Sequence, residues 1–149
     1  MAAYRGYVNF AEASLTSGTT YNILAGTAPA NQRILIEAFE LYGKANAAQT
    51  PGLVQFCRAT SGGSGGTAVT PTSQEQIVAA TFQSTWITQP GTPPTGIVAY
   101  DSRELNPQLG LLVYFPQGQE RYLEYGKFIV IQFTPQFTGT YSGFLQIVE

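Results

Sequence analysis

Short segments in which apolar and polar residues alternate recur from one end of this chain to the other, each closed by Gly, Pro or Asn. A period of two turns one face of a strand to a core and the other to water, so the pattern commits the backbone to sheet. "AYRGYVNF" (Ala3 to Phe10) and "TTYNILA" (Thr19 to Ala25) come first, then "QRILIEAFELYG" (Gln32 to Gly43) and "GLVQFCRA" (Gly52 to Ala59). "STWITQ" (Ser84 to Gln89), "GIVAYDSRE" (Gly96 to Glu104), "GLLVYFP", "KFIVIQFTP" and "GTYSGFLQIVE" complete the series. In the third segment Leu35, Glu37, Phe39 and Leu41 fall on one face, and Ile34, Ile36, Ala38 and Glu40 on the other. Both faces are largely apolar, which predicts a central strand. In the fourth, Val54 and Phe56 are expected inward, or else Leu53 and Cys57 from the opposite face. Only "SQEQIVAATF" (Ser73 to Phe82) reads as a brief helix. About eight to nine short strands at regular spacing predict an all-β, jelly-roll-like antiparallel β-sandwich. A chain of 149 residues suits one domain, with residues 1–30 serving as edge strands or as an arm.

What covers such a sandwich is unusual. Charged residues make up 11% of the chain, against roughly 25% in ordinary soluble domains. The surface must therefore be Thr, Ser, Gln, Asn, Gly and Tyr, which suits a protein held against other proteins. Seven basic residues against nine acidic ones, for a net charge of −2, provide no basic stripe to displace counterions, so nucleic acid is not an expected partner. No stretch approaches the ~20 apolar residues of a membrane helix, and "MAAYRGYVNF" lacks the apolar core of a signal peptide. The expectation is synthesis in the cytoplasm with no membrane partner. A single cysteine, Cys57, allows no internal disulfide.

The residues that carry chemistry are sparse. "RATSGGSGGTAVTP" (Arg58 to Pro71) has the glycines of a phosphate-binding loop but no lysine, and it lies between strands where a P-loop needs a helix. It reads as a flexible connection. Histidine is absent, which removes the commonest general base and metal ligand and denies Cys57 a catalytic partner. Lys44 and Lys127, the only lysines, are tied by spacing to no serine. Asp101 with Glu104 resembles a charged strand end, and Glu120 with Glu124 a solvated turn; a glycosidase would need two carboxylates facing one bond. No enzymatic activity, cofactor or metal is expected. The remaining signal is aromatic: nine Tyr, nine Phe and Trp86. Trp86 and surface tyrosines suit a stacking platform for sugars or an anchor in a protein interface. The candidate partner contacts are two loops, residues 60–66 (Ser61, Gly62, Gly63, Ser64, Gly65, Gly66) and 90–95 (Thr92, Pro93, Pro94), with Trp86 and Tyr122 as anchors.

The order of motifs resembles a family of small structural proteins of tailed bacteriophages. The resemblance covers about residues 30 to 149: "NQRILIEAFELYGKANAAQTPGLVQFCRATSGGSGGTAVTP", a Trp- and Pro-containing middle, then "ELNPQLGLLVYFPQGQERYLEYGKFIVIQFTP". "RATSGGSGGT" (Arg58 to Thr67) and "FPQGQE" (Phe115 to Glu120) match best. This chain departs in a glycine-richer loop and in Cys57, where the family pattern has an apolar residue. The resemblance implies a virion protein without catalytic residues, specifically a head decoration or cement protein on the major capsid protein, forming homotrimers on the head surface. A tail, baseplate or fibre-base protein, and a carbohydrate-binding module, are the competing expectations.

Overall fold

Each alternating segment is a strand. The computed structural model describes residues 5–44, 50–74, 82–106, 109–116 and 121–149. Their strands are β1 (Arg5–Leu15), β2 (Tyr21–Thr27), β3 (Ile34–Lys44), β4 (Gly52–Ala59), β5 (Thr67–Val69), β6 (Thr72–Ser73), β7 (Thr85–Thr88), β8 (Val98–Leu105), β9 (Leu111–Tyr114), β10 (Arg121–Leu123), β11 (Phe128–Thr134) and β12 (Gly139–Val148). Ser73, at the start of the expected helix, belongs to β6, and most of that segment lies outside the described residues. Residues 5–27 are largely sheet and not a free arm, since β1 pairs β12 and β2 pairs β11.

Pairing nests from the ends of the chain inward. β1 pairs β12, β2 pairs β11, β3 pairs β9 and β10, and β4 pairs β8, all antiparallel. That is one long hairpin, rolled up so that β3 also meets β12 and β4 also meets β11. The result is a jelly roll, whose successive hairpin pairs (β1 with β12, β2 with β11, β3 with β9 and β10, β4 with β8) alternate between two sheets. The first sheet runs β6-β1-β12-β3, with β9 and β10 sharing the far edge of β3; the second runs β5-β7-β2-β11-β4-β8. The three short strands β5, β6 and β7 come from the long connection at the hairpin's tip. They widen both sheets on the same side, because β6 adds to β1 and β7 to β2.

β3 is central, as its two apolar faces require, but its residues do not keep one alternation. Ile36 pairs Ile147 while Ala38 pairs Gln146, so Glu37 is an extra residue in the ladder. A one-residue bulge exchanges the faces of a strand. Ile34 and Ile36 therefore enter the core before the bulge, and Phe39 and Leu41 after it. This replaces the expected grouping of Leu35 and Glu37 with Phe39 and Leu41. The partner strand breaks at the same place: β9 covers Leu41 to Ala38 and β10 covers Ile36 to Ile34.

Between the sheets the core is aromatic. Phe39 of the first sheet meets Phe56 of the second edge to face at 5.2 Å, and Phe10 and Phe115 extend the stack on either side. Val54 and Phe56 point inward as expected, while Leu53 is exposed on the opposite face. Cys57 also faces outward, yet it is buried with Ala25 and Val130 beneath Ile87 and Ile97. Burial raises its thiol pKa above the ordinary value, so it is a small apolar filler and a poor nucleophile.

Candidate interaction surfaces

The two loops expected to touch a partner pair with each other. Ser61 bridges Thr95 and Ser64 bridges Thr92, both antiparallel. Thr60 N–H donates to the Thr95 carbonyl at 2.8 Å, and Thr92 N–H to the Ser64 carbonyl at 2.9 Å. Gly63, Gly65 and Gly66 hold φ of +73°, +73° and +77°, which L side chains rarely adopt. A Cβ on Gly66 would lie 2.7 Å from the Gln89 carbonyl oxygen. The glycines thus serve the backbone geometry of a paired ribbon, in place of the flexible connection that composition suggests. Ser64, Gly65, Gly66, Thr92 and Pro93 are exposed on it, Ser61 and Gly63 half-buried, and Gly62 and Pro94 buried.

Trp86 is a correction. It is only 2% exposed, inside the main core, so its ring can serve neither as a sugar platform nor as a surface anchor. β7 sets Trp86 opposite Gly26 of β2, and the absent Cβ lets the six-membered ring lie directly on the backbone there. Its Nε1–H donates to Ser84 Oγ at 3.0 Å, and Ser84 Oγ–H donates to a Glu149 carboxylate oxygen at 2.6 Å. The same carboxylate accepts the backbone N–H of Gln83 and of Ser84. Ser84 and Glu149 are both buried, and their bonds to each other satisfy what burial would otherwise penalise. No spacing rule links residues this far apart.

The outward face of the first sheet is where apolar side chains meet water. Register places Asn9, Phe144, Glu40 and Leu112 in one row across β1, β12, β3 and β9. The next row is Tyr7, Gln146, Ala38 and Tyr114. Tyr7 meets Phe144 edge to face at 5.6 Å. Leu112 is 53% exposed and Tyr114 68%, with Tyr42 also exposed beside Glu40 on β3. Farther along, Tyr122 is exposed on β10, and Arg33 lies over its ring at 5.8 Å and over that of Tyr125 at 5.5 Å. The bulged Glu37 is held by Arg5 at 2.7 and 3.0 Å and by Gln146 at 2.7 Å. The hydrogen bonds from Arg5 pull its carboxyl below the ordinary 4.5, against the opposing effect of burial. Glu40, in contrast, has no ion-pair partner among the described residues.

Two further ion pairs join described side chains. Arg103 grips Asp101 at 3.0 and 3.3 Å, a bond that raises the arginine's pKa, and Arg33 meets Glu124 at 3.0 Å. Glu120 lies outside the described residues. Among the described residues no three of His, Cys, Asp and Glu gather in a way that could hold a metal ion, and no helix is long and apolar enough to cross a membrane. A cavity of about 390 Å3 opens where β10 of the first sheet comes near β4, β8 and β11 of the second, with Arg58, Tyr100, Tyr122 and Phe128 in its walls. No protein-family model matches this chain, and no curated protein matches it significantly, so the reading of its function rests on its own residues and surfaces.

Proposed function

We propose that this protein is a non-enzymatic structural component of a phage virion, a decoration protein that binds the outer surface of the major capsid protein lattice and stabilises the head. The observation that carries the reading is the outward face of the first sheet. There Tyr42, Leu112 and Tyr114 stand exposed around Glu40, on a chain with little charge elsewhere to keep such a face in water. Interface centres are enriched in aromatic and other large apolar side chains, and Tyr42, Leu112 and Tyr114 give this face such a cluster, with Glu40 and the Arg5–Glu37 pair as its charged members. The resemblance of residues 30 to 149 to phage structural proteins supports the same reading. A protein that binds the assembled lattice and not free subunits stabilises the assembly by linkage. Many copies on a symmetric lattice, each a homotrimer, multiply the effect by avidity. The sugar-binding alternative loses its main support with Trp86 in the core.

The test is cosedimentation of the purified chain with capsids of the encoding phage that lack it, after light scattering of the free chain on a sizing column. A trimer that pellets with capsids, and a Leu112→Ser/Tyr114→Ser variant that folds but stays in the supernatant, are the expected results. A wild-type chain that stays in the supernatant overturns the reading, as does a labelled chain that decorates only the tail when virions are imaged.

A further inference from the structure

The cavity beside β4 and β10 holds a charge that no carboxylate matches among the described residues. Alternation along β4 turns Val54, Phe56 and then Arg58 to the inward face, and Arg58 lies opposite Ile129 of β11. Where Val54 and Phe56 meet the first sheet, Arg58 meets an opening, and it is exposed. Arg5, Arg33 and Arg103 each have a carboxylate at 3.0 Å or less. Arg58 alone among the arginines with described side chains has no carboxylate partner, and it is the one that lines the cavity. Around it stand Tyr100 of β8, Tyr122 and Leu123 of β10, and Phe128 and Ile129 of β11. The far wall is firm, because the buried Gly62 of the ribbon rests on the Phe128 ring.

We propose that this cavity binds a carboxylate carried on an apolar, ring-sized or branched body, with Arg58 taking the carboxylate and the aromatic walls taking the body. A guanidinium presents two parallel N–H donors that fit a carboxylate edge to edge, which no other side chain offers. The volume lies at the small end of the ~300–1,000 Å3 found for ligand sites, so the ligand is small. A tyrosine wall adds stacking. The same chemistry is found in a free aromatic acid and in the last residue of a protein chain that ends in Leu or Phe. The proposal does not depend on the virion reading, since a chain that ignored capsids would still have this cavity.

The test is an NMR titration of the full chain with phenylacetate, with phenylacetamide as the uncharged isostere and with a tetrapeptide ending in a free leucine carboxylate. The backbone signals of Arg58, Tyr122 and Ile129 are expected to shift with phenylacetate at an affinity on the order of millimolar, as suits so few atoms. The amide is expected to bind at least tenfold more weakly, and Arg58→Gln to lose at least tenfold for the acid. Arg58→Lys, which keeps the charge without the paired donors, falls between. A peptide tighter than phenylacetate identifies a protein terminus as the source, and a weaker one a free acid. No saturable shift with either acid overturns the proposal, as does equal binding of acid and amide or an Arg58→Gln variant that binds like wild type. Arg58 is exposed, so the variant's fold is checked by its unchanged core signals.

Discussion

Trp86→Ala separates a core tryptophan from a surface platform. The ring is buried, so its removal leaves a cavity in the main core over Gly26, and removes the hydrogen bond that Ser84 now accepts. Large-to-small changes of this kind cost about 3–5 kcal/mol. In a domain of this size that lowers Tm by roughly 6–20 °C. Gly26→Ala acts on the same contact from the other side. A Cβ there would lie within 2.7 Å of Trp86 Cη2, so the ring must move, at about 1–3 kcal/mol. The two effects cannot add, because removing the ring removes the clash. The double variant is expected to be about as stable as Trp86→Ala alone, a coupling of about 1–3 kcal/mol in a double-mutant cycle. Calorimetric melts of the four proteins measure it. Strict additivity, or a Trp86→Ala variant that melts with wild type, would refute the packing described here and return Trp86 to the surface.

Three further outcomes follow from particular contacts. Glu37 titrates below 4.5 in the folded state because Arg5 donates to it, so its contribution is complete above that pH and is lost as pH falls through the folded value. The Tm difference between wild type and Arg5→Gln, worth at most about 1 kcal/mol at neutral pH for a partly exposed pair, should therefore vanish in acid; a difference that persists there refutes the assignment. Gly66→Ala places a side chain at φ +77° against two carbonyl groups and should cost about 1–3 kcal/mol by urea melt, whereas Gly91→Ala, with open space at its Cβ, should cost well under 1. Glu149→Ala strips the acceptor from Ser84 Oγ and from two backbone N–H groups and should cost about 1.5–3 kcal/mol; an unchanged denaturant midpoint would mean that water replaces it freely.

Strand content and the place of the long strands were legible in the residues, although β1 runs on to Leu15 past the expected Phe10, and the favoured inward set of β4 is the one found. Alternation is a local signal, and Val54 and Phe56 carry it without needing to know what faces them. The absence of histidine and the scarcity of charge likewise bound the chemistry before any fold is known. What local periodicity cannot hold is the register between distant strands. The bulge at Glu37 exists because Ile36 and Ala38 pair successive residues of β12, more than a hundred positions away, and it decides which residues in each half of β3 face the core. Trp86 reads as an anchor until β7 is laid beside β2, where Gly26 leaves room for the ring. The glycine run reads as a pliable link until it pairs with residues 91–96, and Arg58 reads as the end of a strand until the other arginines are seen to be matched. Composition and period determine that a chain is sheet and which side chains seek the core. Only the closing of the roll decides which of them meet, and therefore which polar group is left facing an opening without a partner.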